Sequence, residues 1–333
     1  MHGHVVSNDN SEIFWSVAPV DRILYPRCDK GRVGRIEQSK LDQPDGDFIM
    51  DDLNGRVAVV TGAAGGIGLA MAKSFASQGM KLVMADIEDA TLAQSVAALR
   101  AAGAEAIAVR TDVSSEAQIK ALADAAYSQY GAVHVLCNNA GVATPALRIL
   151  AWETPLSDWE WIHKVNFMGV LYGVREFVPR MLAGGDAGHV VNTASVAGLI
   201  AGGNPYFVSK HSVACFTEGL YKDLRSIGAR VSASVLCPGL IRTRIIDGER
   251  NRPKAFGPAT DVKALPEAQR IQSATFRAAL EDGYDPADVA AAVLAAIQQD
   301  RYYIIPAQQK LLDVIALRMN DILEQRNPTL PLA

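Results

Sequence analysis

The sequence is poor in the features that mark specialised classes of protein. It carries four cysteines in 333 residues, Cys28, Cys137, Cys215 and Cys237. They are spaced too widely for a metal-ligand set or a disulfide framework, so no metal is expected. Three of them sit in apolar runs and are expected to be buried, reduced thiols of a cytoplasmic protein. No apolar run approaches the roughly 18 residues that span a bilayer, which argues against a membrane partner. Charge of either sign is not in excess: 32 Lys and Arg stand against 36 Asp and Glu, for a formal net charge of −4. That balance gives no reason to expect a nucleic-acid partner. No internal repeat and no interior linker interrupts the chain.

What is present divides at Met50. Residues 1–49 show no sustained hydrophobic period, and Asp9 and Glu12 precede their one apolar patch where a signal peptide would be basic. The cluster Arg22, Arg27, Lys30, Arg32 and Arg35 is interleaved with acids and reads as a solvated tail. Residues 1–49 are thus expected to be a poorly ordered extension, and 50–333 a single domain. From Gly55 onward, short Val- and Ile-rich runs alternate with amphipathic stretches. The runs are 57–61, 81–86, 106–112, 133–139, 189–195, 231–237 and 302–306. The stretches are 67–78, 90–101, 116–130, 156–181, 206–227 and 286–298. This alternation predicts an α/β fold: a three-layer, doubly wound parallel sheet of about seven strands, of the Rossmann type.

Ligands of such sheets bind beyond the carboxyl ends of the strands, and polar or Gly-rich residues collect there. TGAAGGIG (Thr61, Gly62, Gly65, Gly66, Ile67 and Gly68 among its members) joins the first strand to a helix. Its glycines permit a tight turn and a close approach to a pyrophosphate at the helix N-terminus. Asp86, eighteen residues beyond Gly68, supplies the acid expected on the adenosine ribose. A carboxylate there, with Gly65 where a cation could sit and few cations near, favours NAD over NADP. Asp112, Asn139, Ser195 and Pro238–Gly239 end the next four strands. Tyr206 and Lys210 are four residues apart and share one helix face. An ammonium beside a phenol favours the phenolate, and so a proton acceptor near neutral pH.

Together TGAAGGIG, NNAG, a serine before YxxxK and the PG after strand six resemble the short-chain dehydrogenase/reductase family over roughly 53–305. The resemblance implies an oxidoreductase that moves hydride between a secondary alcohol or ketone and a nicotinamide cofactor. It implies that Tyr206 transfers the proton, Lys210 polarises it, Ser195 holds the substrate oxygen and Asn166 holds a relay water. It places Asp112 and Val113 at the adenine, Asn139, Ala140 and Gly141 along the adenosine side, and Ile241 and Thr243 at the nicotinamide carboxamide. Ser195 precedes Tyr206 by eleven residues, slightly fewer than is usual in the family. The alternative, a cofactor-binding protein without catalysis, is disfavoured because the Ser–Tyr–Lys–Asn set is intact.

RPKAFG, YYIIP and FVPRM are similar to bacterial dehydrogenases of benzylic alcohols, so the small-molecule substrate is expected to be apolar or aromatic. Arg242–Leu280 reads as a mobile substrate lid. Trp152, Trp159 and Trp161 read as packing at a helix start rather than as an aromatic pocket, and Cys215 as core. Phe167, Val170, Leu171 and Val174 on one helix, with Val213, Phe216 and Leu220 on another, form an apolar stripe expected to build a homo-oligomer, a tetramer or dimer.

Overall fold

Alternate residues of Val57–Thr61, here β1, serve opposite cores: Ala58 and Val60 on one face, Val57 and Val59 on the other. Burial on both faces is why the strand reads as a continuous apolar run. The fold is that of a computed structural model, which describes residues 50–144, 150–258 and 261–329. The expected N-terminal tail, its basic cluster and Cys28 lie outside the described residues. The other strands are β2 (Lys81–Asp86), β3 (Ala106–Arg110), β4 (Val135–Asn138), β5 (Gly188–Thr193), β6 (Val231–Leu236) and β7 (Tyr303–Ile304). They form one parallel sheet in the order β3-β2-β1-β4-β5-β6-β7, which reverses direction between β1 and β4.

Helices cover both faces. Against one pack α1 (Gly66–Ser77), α2 (Asp89–Ala101) and α8 (Pro286–Gln298), through Met71, Phe75, Leu92, Val289 and Val293. Against the other pack α3 (Glu116–Tyr130), α5 (Gly169–Gly184) and α6 (Pro205–Ser226), through Ile119, Leu122, Phe177 and Leu224. Each large side chain as buried as Phe75 or Phe177 stabilises the fold by about 1.5–3 kcal/mol. The expected doubly wound, seven-stranded architecture is therefore present.

Several local expectations are corrected. The stretch 156–181 is not one regular helix: α4 (Leu156–His163) and α5 are joined by a π-helical turn at Lys164–Met168. The last strand shortens to two residues. Helix α7 (Glu267–Glu281) and, beyond β7, helix α9 (Gln309–Leu323) complete the described elements. Cys137 and Cys237 are buried, and burial pushes the Cys237 thiol up to about 12. Cys215 is exposed, because its position on α6 turns away from the sheet. Of the expected apolar stripe, Val170, Val174 and Val213 lie in the chain's own cores. Phe167, Leu171, Phe216 and Leu220 are half-buried, and Phe167 meets Phe216 edge-on at 6.0 Å.

Candidate active site

The carboxyl ends of the strands open into a cleft of about 360 Å³. Its floor at the switch point is the β1–α1 turn. Gly62 has φ +67°, and a Cβ there would lie 2.9 Å from the Ala140 Cα; a Cβ on Gly68 would overlap the Gly62 carbonyl oxygen. Only glycine permits this closeness of turn, helix and loop. Helix α1 begins at the cleft with no side-chain cap on its first turn, which leaves backbone N–H groups and partial positive charge directed at an anion. At Gly65 a Cβ would meet nothing within 4 Å, so the turn faces open space there. An uncapped helix start beside an open glycine fits a pyrophosphate, and hence a dinucleotide.

Gly62, Gly65, Gly66, Ile67, Asp86, Asp112 and Val113 line this cleft, as do Asn139, Ala140, Gly141, Pro238, Gly239, Ile241 and Thr243. Thr61 and Gly68 lie behind the lining. The Thr61 hydroxyl accepts the backbone N–H of Asn139 at 2.9 Å and of Ala140 at 3.1 Å, and donates to the Cys137 carbonyl. Thr61 thus staples β1 to the end of β4, and Gly68 makes room for the turn; both shape the cleft rather than face it. Asp86 accepts the backbone N–H of Ala64 and of Glu88, at 2.9 and 3.0 Å. Asp112 caps the approach to α3 through the N–H and hydroxyl of Ser114.

Ser195, Tyr206 and Lys210 converge at the other end. Asn204 caps α6 by accepting the Phe207 N–H, and Pro205 occupies the first turn, so Tyr206 enters at the helix start. The shortened loop still brings Ser195 to Tyr206. The Ser195 hydroxyl accepts the Ala197 N–H at 3.1 Å and faces the Pro238 carbonyl at 3.4 Å. Burial raises the Tyr206 phenol above its ordinary value, while a hydrogen bond to Ser195 pulls the other way. The expectation that Lys210 lowers the phenol is not met. Its ammonium donates to the Thr193 carbonyl at 2.8 Å and lies 5.9 Å from the Tyr206 ring centroid. Burial pushes Lys210 itself down to about 8.

Asn166 falls in the π turn, is fully buried and stands outside the cleft lining. Its amide donates to the Val142 carbonyl (3.0 Å) and the Ser209 hydroxyl (3.1 Å), and accepts the Val142 N–H (2.8 Å). With both donors used, the side chain clamps the loop after β4 rather than offering a donor to a water. A Cβ on Gly141 would lie 3.2 Å from the Lys210 ammonium and 3.3 Å from the Asn166 oxygen, so this loop is pressed against both.

Sequence reasoning missed several groups that border the cleft, some of them from the segment after β6. Trp161 packs as expected, being 1% exposed, yet also borders the cleft with Val142 and Val165. Trp152 is instead 80% exposed. Against the expectation of few cations near Asp86, Arg244 and Arg250 line the cleft there. Both engage Glu88, Arg250 at 2.5 Å and Arg244 at 3.5 Å, and Asn251 donates to the same carboxylate at 2.9 Å. Burial works to raise the Glu88 carboxyl, but the bonds from Asn251 and Arg250 and the charges of Arg250 and Arg244 outweigh it and hold the group low. No local signal announces such a contact, since its partners are 156–163 residues apart.

A family model described as short chain dehydrogenase matches residues 56–254. A 1-deoxy-11-beta-hydroxypentalenate dehydrogenase of Streptomyces exfoliatus is 38% identical over 254 residues, 76% of this chain and 83% of its own length. A C alpha-dehydrogenase of a Sphingobium species is 30% identical over 260 residues, 77% of this chain and 82% of its own. A short-chain dehydrogenase/reductase from Burkholderia phymatum, crystallised in complex with NAD, is 47% identical with a TM-score of 0.80. That match covers 85% of this chain and all of the other.

Proposed function

As this chain belongs to the short-chain dehydrogenase family, we propose that it interconverts a secondary alcohol and its ketone, with NAD as the preferred cofactor. One observation carries the reading: a glycine-rich, uncapped helix start and a Ser195–Tyr206–Lys210 cluster share a single cleft at the switch point of the sheet. When bound, the oxidised cofactor accepts hydride, and its positive ring favours the phenolate of a nearby tyrosine. Tyr206 takes the substrate hydroxyl proton in oxidation and returns it in reduction. Ser195 donates to the substrate oxygen as charge develops on it. Lys210, at about 8, is still mostly cationic at neutral pH and donates to the nicotinamide ribose hydroxyls, which orients the ring toward Tyr206. Asn166 acts through the Val142 backbone, fixing the loop that borders Lys210.

Asp86 supports the choice of NAD, since its carboxylate suits ribose hydroxyls and opposes a 2′-phosphate; the NAD-bound relative from Burkholderia phymatum points the same way. Val142, Trp161 and Val165 form an apolar wall, which suits an apolar or aromatic alcohol. The names of the Streptomyces and Sphingobium relatives also fit a carbon-bound hydroxyl. A cytoplasmic homo-oligomer is part of the proposal; the half-buried Phe167, Leu171, Phe216 and Leu220 supply its contact face. Light scattering decides that point, and a monomer at micromolar concentration would refute it.

The test of the chemistry is a panel of aryl, steroid and aliphatic secondary alcohols with NAD, followed by Tyr206→Phe on the best substrate. The variant should lose on the order of 10²–10⁴ in rate while still binding the dinucleotide. A near-wild-type rate would remove Tyr206 from the proton transfer.

A further inference from the structure

Two arginines of the lid reach the half of the cleft where Asp86 stands. A ribose 2′-phosphate adds about two negative charges, and the guanidinium fork is the side chain best matched to it. The cations that NADP would require are thus already in place, and what they do instead is bind Glu88. Arg250 donates through Nε at 2.8 Å, with Nη2 2.5 Å from the same oxygen. Arg244 reaches the other oxygen at 3.5 Å. Glu88 in turn gives its backbone N–H to Asp86 at 3.0 Å. Glu88 and the two guanidiniums therefore form one ion-paired group along this edge of the cleft, tied to Asp86 through the Glu88 backbone.

The placement of Arg250 does not depend on Glu88 alone. Its Nη1 donates to the Asp247 carbonyl at 2.8 Å and to the Arg244 carbonyl at 3.3 Å. Without the Glu88 charge the guanidinium would stay at the rim, with Nε and Nη2 released.

We propose that Glu88 is a cofactor-selecting residue: by occupying Arg250 and Arg244 it withholds them from a ribose 2′-phosphate. Preference for NAD then depends on this carboxylate as well as on Asp86. The proposal rests on the reading of the cleft as a dinucleotide site with the adenosine ribose at Asp86. An intramolecular carboxylate, held by Thr91, Arg244, Arg250 and Asn251, competes with an incoming phosphate at no cost in association entropy. Removing it shifts the competition, while removing the arginines leaves an uncompensated negative charge beside the ribose.

The two kinds of variant are therefore expected to move cofactor choice in opposite directions. Binding of NADH and of NADPH to the purified full chain is measured by calorimetry, without substrate. Glu88→Gln should raise the ratio of NADPH to NADH affinity about tenfold or more, the scale of one charge-assisted contact. Arg244→Met with Arg250→Met, in the presence of Glu88, should lower that ratio, and adding both to Glu88→Gln should abolish the gain. An unchanged ratio in Glu88→Gln, with NADH still bound, overturns the proposal and leaves the dinucleotide site standing. A gain that survives loss of both arginines overturns it too. If Glu88→Gln does not fold, the double Met variant decides, and a ratio equal to or above wild type refutes the proposal. Failure of the wild type to bind either dinucleotide would bring down the reading of the cleft and the proposal with it.

Discussion

Two glycines of the same turn separate shaping the cleft from facing it. Gly68 has no room for a Cβ, because the Gly62 carbonyl oxygen occupies that space. Gly65 has room, in an extended conformation (φ −164°) that any residue adopts. Gly68→Ala is therefore expected to force β1 and α1 apart, with loss of both thermal stability and dinucleotide binding. Gly65→Ala should melt at the wild-type temperature but bind NADH more weakly, because its methyl group enters the space before the helix start. Paired melting curves and NADH titrations check both. A destabilised Gly65→Ala, or a Gly68→Ala that binds normally, would contradict the geometry.

At the scale of elements, the segment that follows β6 is tied to both margins of the cleft. Beyond the Glu88 contact, Arg252 fastens it to α4 with a side chain 2% exposed. The guanidinium donates to Asp158 at 2.6 Å, to Glu249, to Ser157 and to the Phe256 carbonyl, and lies 5.0 Å from the Trp161 ring centroid. Asp158 is itself 3% exposed in its side chain. Breaking a buried pair from one side leaves the other charge stranded. Arg252→Met should thus cost about 3–5 kcal/mol in urea denaturation. Adding Asp158→Asn should recover part of that loss, since the stranded charge is then gone. An Arg252→Met variant as stable as wild type would show that this segment is not held here. Residues 242–258 are thus bonded both to α4 and to the β2–α2 connection.

For the whole molecule, pH acts through a histidine inside the sheet. His189 on β5 meets the Ser234 hydroxyl at 2.6 Å, and Ser234 donates its one proton to the Arg301 carbonyl at 2.8 Å. The imidazole Nε2 must therefore be the donor. Burial, with the Arg225 charge assisting and Asp300 opposing, pushes His189 down to about 4. In an unfolded chain it would titrate near ~6.5, so the unfolded state takes up the proton first as pH falls. This contribution to stability is complete above about pH 6.5 and is lost progressively toward pH 4. Denaturation midpoints should fall across that window in wild type and fall less steeply in His189→Asn; parallel slopes would assign the effect elsewhere. Chain length is tested at the same scale. Met50 and Leu53 are 4% and 2% exposed and pack in the core shared with α1. A chain beginning at Met50 is expected to fold and to turn over substrate, whereas one beginning after Leu53 should lose about 1.5–3 kcal/mol per buried side chain removed.

The order of strands and helices could be read in advance because it rests on local periodicity: a strand buried on both faces must be apolar throughout, and a covering helix must carry one apolar stripe. Ser195 and the glycine turn could be placed for a related reason, since in a parallel sheet every strand delivers its following residue to the same rim, and the four-residue spacing of Tyr206 and Lys210 put them on one helix face. What depends on packing could not be read so. Whether Cys215 faces the sheet or the outside is set by the azimuth of α6. Whether Thr61 meets a ligand or staples β4 is set by the register of β1 against β4. The pairing of Glu88 with Arg250, and of Asp158 with Arg252, joins residues 162 and 94 positions apart. Such contacts leave no period or spacing behind, because a charged side chain on a loop is equally compatible with water until the folded chain brings its partner within reach.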